Sequence, residues 1–315
     1  MTYSVKRSTE TILVTGACGL IGSHLCAKFL DCGYTVLAYD NNESELAQLA
    51  LKLKPKGGQK FSYLCSSVSD REAIFSAVEQ ADVVFHLAAI SDLVACEKDP
   101  YGCIEVNLIG SMHVIDASIL LRKKKLFLAS SKHVFNSAGG HYSFAKKALE
   151  AYCFNRFADF EKMDSHFSIL RIGSIYGFSL VSTNKGDYLS QILKSLYLFK
   201  AAEIDPNVSR PYLYVQNLAE RLSRDWRNFT HPLYMLEGNS NLLVLDIFDN
   251  FVNLLDLDEK EIDLKIKAKP LRGANPFCKN SWDIEGYNAH LMKICQTDHS
   301  FCFQAMVAQL YAKKI

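Results

Sequence analysis

The chain has 315 residues, with 35 Lys and Arg against 34 Asp and Glu for a net charge of +1, so no overall charge draws it to nucleic acid or to an acidic membrane. That length buries a sizeable core and fits one large α/β domain or a large domain with a smaller cap. The ten cysteines stand singly without C-x-x-C spacing, which argues against a disulfide framework or a cysteine metal site and reads as reduced thiols in a cytoplasmic protein.

Met1 to Glu10 is polar without an apolar leader, and no run approaches 18 apolar residues, so an unexported protein with no membrane contact is expected. The first strand, Ile12–Thr15, runs into Gly16-Ala-Cys-Gly19-Leu20-Ile21-Gly22 and the helix Leu20–Cys32. In this strand–turn–helix setting Gly16 allows a tight turn, Gly19 lets backbone approach a pyrophosphate, and Gly22 lets the helix pack closely, with its amino end facing the phosphates. A purely structural glycine turn would give the same pattern. The next strand, Tyr34–Tyr39, ends beside Asp40, 24 residues after Gly16, where a carboxylate accepts hydrogen bonds from ribose hydroxyls and repels a 2′-phosphate, favouring NAD over NADP. A turn former beside Asn41 and Asn42 is the alternative for Asp40.

Helix Glu43–Lys54, strand Phe61–Leu64, helix Arg71–Gln80, strand Val83–Leu87 and helix Tyr101–Leu121 follow. The basic block Arg122 to Lys125 reads as a solvated helix end. Then come strand Leu126–Ser130, helix Tyr142–Glu161 and strand Phe167–Arg171. The alternation implies a buried parallel sheet covered on both faces, an α/β doubly wound fold with ligands beyond the carboxyl ends of its strands. After about Ile175, Gly186, Pro206, Asn207, Pro211, Pro232 and Gly238 break the pattern. Residues 1–175 are therefore assigned to a nucleotide-binding domain to which later segments return, and 176–315 mainly to a smaller substrate-binding cap.

Tyr142 and Lys146 share one helix face, four residues apart, so the ammonium can lower the phenol's pKa and let it exchange a proton with a sugar or alcohol hydroxyl. The spacing alone occurs by chance on many helices. It gains force from order: a phosphate loop, then Ser131 at a strand end, then the Tyr/Lys pair. Ser131 as a turn residue and Tyr142 as a helix-start aromatic are the plainer readings. His86, among apolar neighbours, reads as packed, and Tyr176, Phe178 and Tyr188 as core aromatics, with the lining of a sugar or base pocket as their alternative.

These residues resemble the extended short-chain dehydrogenase/reductase family, in particular its nucleotide-sugar epimerases and dehydratases, over about Thr11 to Asp283. Val84-Phe-His-Leu87-Ala88-Ala89 is similar to the family's fourth-strand segment by the nicotinamide ribose. Asn107 and Gly110 fall where its next helix has asparagine and glycine, Ser130-Ser131 lies in the segment bearing the catalytic serine, and Leu170 to Gly177 in the segment after it. The resemblance implies that Tyr142 is the acid/base, that Lys146 lowers its pKa and holds the nicotinamide ribose, and that Ser131 bonds the reacting oxygen. It implies an NAD site from Gly16, Gly19, Leu20, Ile21, Gly22, Asp40, Leu87, Ala88, Ala89, Asn107, Ser130, Tyr142 and Lys146. Ser131, Ser174, Arg210 and Arg272 would meet the substrate, the two arginines as a diphosphate clamp. It also implies a homodimer paired through the helices Tyr101–Leu121 and Tyr142–Glu161. No metal is expected.

The chain departs from the family pattern in several places. Lys132 and His133 stand where dehydratases carry an acidic pair, which disfavours ordinary 4,6-dehydration. The interval from Ser131 to Tyr142, turned by Gly139-Gly140, is short, as in an inverting dehydratase subgroup whose lysine Lys132 loosely resembles. Ser67-Val68 replaces an adenine-contacting acid, Gln216-Asn217 an acidic pair, and Ser174 a substrate-binding asparagine. The expected activity is an NAD-dependent epimerase acting on a nucleoside-diphosphate sugar. A 4,6-dehydratase or 4-keto-sugar reductase is the nearest rival, and a non-catalytic NAD-binding sensor or scaffold is the rival from another class.

Overall fold

Short runs of valine, isoleucine, leucine and aromatics, each too apolar to face water, pair side by side into one parallel sheet. The computed structural model of the chain describes residues 10–53, 60–123, 125–135, 140–162, 165–182, 187–266, 290–294 and 299–312. The strands β1 (Thr11–Thr15), β2 (Thr35–Asp40), β3 (Phe61–Cys65), β4 (Val83–His86), β5 (Lys125–Ser131) and β6 (His166–Ile172) match the predicted ones to within one residue at each end. Two further strands, Leu233–Gly238 and His290–Ile294, return to the edge beyond β6, so the order across the sheet is His290–Ile294, Leu233–Gly238, β6, β5, β4, β1, β2, β3. The strand order reverses at β1 and β4, and the carboxyl ends there are level, since Thr15 lies beside both Tyr39 and His86. In doubly wound sheets this is where a crevice for ligands opens.

Alternate residues of the strands feed two separate cores. Ile12, Val14, Val36, Ala38, Val83 and Phe85 face one core, and Leu13, Leu37, Tyr39, Val84, Leu126 and Leu128 face the other. Helix α1 (Leu20–Asp31) covers the first face with the helix Val215–Asp225. Helices α2 (Glu43–Lys52) and α3 (Arg71–Glu79) start at Asn42 and Asp70, whose side chains accept from Glu45 N and Ala73 N, as good amino-terminal caps do. A helix absent from the sequence reading, α4 (Leu93–Lys98), starts at Asp92 in the same way.

The predicted helix Tyr101–Leu121 is three pieces: α5 (Pro100–Ile104), a π-helical turn Glu105–Gly110, and α6 (Ser111–Leu120). Against expectation, this run Pro100–Leu120 is long and apolar enough, by length and composition, to cross a membrane; half of its most apolar window is buried in the protein. It packs against α3 and against α7 (Gly140–Asn155). The predicted helix Tyr142–Glu161 breaks after Asn155 and resumes at Phe157–Glu161. Lys125, read as part of a solvated helix end, is instead the first residue of β5, 6% exposed, with its ammonium donating to the Phe229 carbonyl.

Candidate active site

Four carboxyl-end segments meet at one end of the sheet. After β1, Gly16 turns with φ +68°, and a Cβ there would come within 2.8 Å of the Ala88 backbone, so only glycine brings the turn this close to the segment after β4. A Cβ on Gly22 would come within 2.1 Å of the Gly16 carbonyl oxygen, whereas one on Gly19 would meet that oxygen at 3.1 Å. Gly19 caps α1 without a side-chain oxygen, which leaves the first amides of Leu20 and Ile21 directed at whatever anion stands at the helix start. Asp40 reaches back to this turn: its Oδ2 accepts from Cys18 N at 3.0 Å and its Oδ1 from Asn42 N at 3.2 Å.

The segment after β4 is held from below. Thr15 Oγ1 accepts from the amides of Leu87 and Ala88, each at 3.2 Å, and is hydrogen-bonded to His86 Nδ1 at 2.8 Å. His86 Nε2 bonds Ser111 Oγ at 2.8 Å, and burial pushes the imidazole down to about 3. It is a neutral linking group, as its apolar neighbours suggested. Asn107, on the π-helical turn, bonds both backbone groups of Ile90, donating to its carbonyl at 2.9 Å and accepting from its amide at 2.7 Å. Asn107 therefore organises the half-buried run Leu87–Ala88–Ala89 through Ile90, a task often given to a π-turn.

Ser131 ends β5. Its Oγ accepts from the His133 amide at 3.2 Å, which leaves the hydroxyl proton for its hydrogen bond with Tyr142. Tyr142 and Lys146 project from α7, whose first turn is tied down by the His141 amide donating to Glu97 at 2.8 Å. Lys146 is 2% exposed, donates to the Ala129 carbonyl at 2.8 Å, and lies 5.8 Å from the centre of the Tyr142 ring. Contrary to the simple pairing argument, the phenol is raised, to about 12: burial outweighs the hydrogen bond from Ser131 that lowers it. Burial likewise holds the Lys146 ammonium down to about 8, with Cys103 and Glu150 opposing.

Ser130, expected beside the cofactor, turns its hydroxyl into the core and donates to Glu150 Oε1 at 2.5 Å. Glu150 is also paired with Arg171 at 2.8 Å, both side chains 0% exposed. The sequence reading missed this pair, although Tyr142, Lys146 and Glu150 recur every four residues on one face of α7. Arg210 is exposed on the strand Ser209–Arg210, and Ser174, just beyond β6, accepts from the Lys132 ammonium. Arg272 lies outside the described residues. Tyr176 and Phe178 are core aromatics as expected, but Tyr188 is 41% exposed and accepts from the Asp205 amide.

Residues 12–231 match the NAD dependent epimerase/dehydratase family. The chain belongs to this family. Among curated relatives, the UDP-glucose 4-epimerase of Bacillus subtilis is 30% identical over 126 residues, 39% of this chain and 37% of that protein. An uncharacterized membrane protein of Methanocaldococcus jannaschii is 30% identical over 128 residues, 40% of this chain and 38% of that protein. The chain thus spans about two-fifths of the length of these curated relatives. The fold extends further than the sequence match. The structure of a UDP-N-acetylglucosamine 4-epimerase from Methanobrevibacter ruminantium superposes with a TM-score of 0.75 over 97% of this chain and 99% of that one, at 16% identity.

The residues present fit the family's dinucleotide. The turn at Gly16 and Gly22 is a cradle that a Cβ would fill, the amino end of α1 faces it, and Asp40 stands beside it with hydrogen-bond capacity beyond the two amides it accepts.

Proposed function

We propose that this epimerase/dehydratase family member is an NAD-dependent epimerase of a nucleoside-diphosphate sugar, acting by transient oxidation at a carbinol carbon. The observation that carries the reading is the meeting of Ser131, Tyr142 and Lys146 beyond β5, beside the glycine turn. Gly16, Gly19, Gly22 and Asp40 would hold the dinucleotide, with Leu87–Ala89 and Lys146 toward its nicotinamide end. When bound, NAD supplies a hydride acceptor whose oxidised ring is positively charged.

The protein groups move the proton. Removing hydride from a carbinol carbon requires loss of the proton on its oxygen, and Tyr142 Oη, hydrogen-bonded to Ser131, is the group placed to take it. With burial holding the phenol up to about 12, Tyr142 can take that proton only as the phenolate, a form that nearby positive charge stabilises, and the Lys146 ammonium 5.8 Å from the ring centre is such a charge. Ser131 orients the sugar oxygen, and Tyr142 returns the proton once the keto sugar has presented its other face.

Epimerisation is favoured over dehydration because Lys132 and His133, rather than carboxylates, follow Ser131, and because named relatives include UDP-glucose 4-epimerases. The cap assignment to 176–315, a cytoplasmic location without membrane contact, and a homodimer belong to the same proposal. Exposed apolar side chains on α4, α5 and α7, among them Val94, Tyr101 and Phe144, support pairing with a second copy.

The test is proton NMR of the purified chain with NAD and UDP-, GDP-, dTDP- and CDP-linked sugars. A new anomeric signal at unchanged mass is the expected result. A new methyl doublet would replace epimerisation by dehydration, and a protein that neither carries nor binds NAD(H) would overturn the reading altogether.

A further inference from the structure

Residues 176–180, a few positions beyond β6, are gripped one after another from two sides. From the later part of the chain, His299 Nδ1 and the Tyr176 hydroxyl are hydrogen-bonded at 2.8 Å. Ser190 Oγ donates to the Gly177 carbonyl at 2.6 Å and accepts from its amide at 3.1 Å, and Gln309 donates to the Ser179 carbonyl at 2.9 Å. From α1, His24 Nε2 donates to the Phe178 carbonyl at 2.9 Å and Ser23 Oγ accepts from the Leu180 amide at 3.1 Å; from α2, the Lys52 ammonium donates to the Leu180 carbonyl. His299 and Gln309 stand on the helix His299–Tyr311, and Ser190 on the helix Tyr188–Phe199. Tyr176, Phe178 and Ser179 are buried, so little water competes for these bonds.

Ser179 is where this segment meets the glycine turn. Its hydroxyl, 0% exposed, donates to the Cys18 carbonyl at 2.9 Å and lies 3.3 Å from Ser23 Oγ. The Cys18 amide already bonds Asp40, and the Gly19 amide bonds the Gly16 carbonyl at 3.0 Å. The peptide joining Cys18 to Gly19 is therefore held at its carbonyl by Ser179 and at its amide by Gly16. It is the last peptide before α1, and its tilt sets where the first amides of the helix point. We propose that Ser179 is a positioning residue for the dinucleotide, through which the helix His299–Tyr311 tightens the cofactor turn. This rests on the placement of NAD at that turn given above and deepens it. Gln309 fixes the Ser179 backbone, and with it the reach of the hydroxyl to Cys18, from 130 residues away in the chain.

Calorimetric titration of NAD into the full chain, stripped of bound nucleotide, tests the role. Ser179→Ala is expected to weaken NAD binding about 10-fold, because the Cys18 carbonyl loses its donor; Ser179→Cys, nearly isosteric with a weak donor, falls between. Gln309→Leu is expected to cost about 3-fold in the unsubstituted background and nothing further in Ser179→Ala, since both act through one contact. Lys52→Met, which releases Leu180 without touching the turn, leaves the affinity unchanged. Gln309 is half-buried, so its variant decides the matter even where Ser179→Ala does not fold. Unchanged affinity in Ser179→Ala or in Gln309→Leu overturns the role while NAD binding stands, and so does equal weakening in Lys52→Met, which would mark a general loosening of the fold. An unsubstituted chain that binds no NAD overturns both the role and the cofactor's placement.

Discussion

Burial moves Tyr142 and Lys146 in opposite directions for one reason: each loses hydration of its charged form, so the phenol rises to about 12 and the ammonium falls to about 8. Burial alone would keep the phenol neutral at pH 7, so its work as a base depends on positive charge close to its oxygen, and catalysis depends on that oxygen rather than on the ring. Tyr142→Phe keeps the ring and removes the proton carrier. Turnover of the sugar found by NMR is expected to fall roughly 100- to 10,000-fold, while NAD(H) stays bound; a non-catalytic sensor would lose nothing. His24 illustrates the same physics in the core. Its Nε2 donates to the Phe178 carbonyl at 2.9 Å, and burial pushes the ring down to about 4 from 6.5. The unfolded chain takes up a proton between those values when the folded one does not, so stability is fully present above pH 6.5 and is lost as pH falls toward 4. At about 1.4 kcal/mol per pH unit, that window amounts to roughly 3 kcal/mol. His24→Gln, which keeps a donor, is expected to flatten the fall in melting temperature between pH 6.5 and 4, read by circular dichroism. His86 supplies a further fall that this variant leaves in place.

Two elements carry the positioning. The first is the turn between β1 and α1, where Gly16 and Gly22 touch so closely that no side chain fits between them. Gly22→Ala places a methyl 2.1 Å from the Gly16 oxygen, so loss of co-purified NAD(H) and a lower melting temperature are expected; Gly19→Ala, at 3.1 Å, should be milder. The second is α7, whose Tyr142, Lys146 and Glu150 reach the hydroxyl pair, the Ala129 carbonyl and the Ser130–Arg171 group in turn. The Glu150–Arg171 pair clamps α7 to β5 and β6, and both side chains are wholly out of water. Glu150→Gln leaves Arg171 with an uncompensated buried charge, which costs on the order of 3–5 kcal/mol. The double change Glu150→Met with Arg171→Met removes both charges and should recover most of that loss in urea denaturation.

At the scale of the whole molecule, the topology does the assembling. Because every strand of the sheet is parallel, the ends of β1, β4, β5 and β6 lie at one edge, and residues from Gly16 to Ser174 come together there. The same architecture puts α5 and α7 side by side, with Tyr101 88% and Phe144 58% exposed. If a second copy covers them, Tyr101→Asp combined with Phe144→Asp should convert the dimer to a monomer in light scattering. A chain that is already monomeric would remove the dimer from the proposal.

What was legible in the sequence was local. The strand Ile12–Thr15, its glycine turn and the Tyr142/Lys146 face were read correctly because each depends on spacing within a few turns of chain. The first six strands were found to within a residue because buried parallel strands are continuous apolar runs flanked by helical periods. Beyond residue 175 the strands Ser209–Arg210, Leu213–Tyr214 and Leu242–Leu243 are two residues each, too short for any periodicity to mark them. Lys125 was misread because its neighbours in the chain are cations, while its neighbours in space are Phe229 and the core. Ser130 adjoins Ser131 in the chain, yet its hydroxyl donates to Glu150, because successive strand residues face opposite ways. The direction of the Tyr142 shift, the Glu150–Arg171 clamp and the meeting of Ser179 with Cys18 come only from the tertiary structure. Each depends on dehydration or on groups brought together from segments 21 to 161 residues apart, and neither spacing nor composition carries that information.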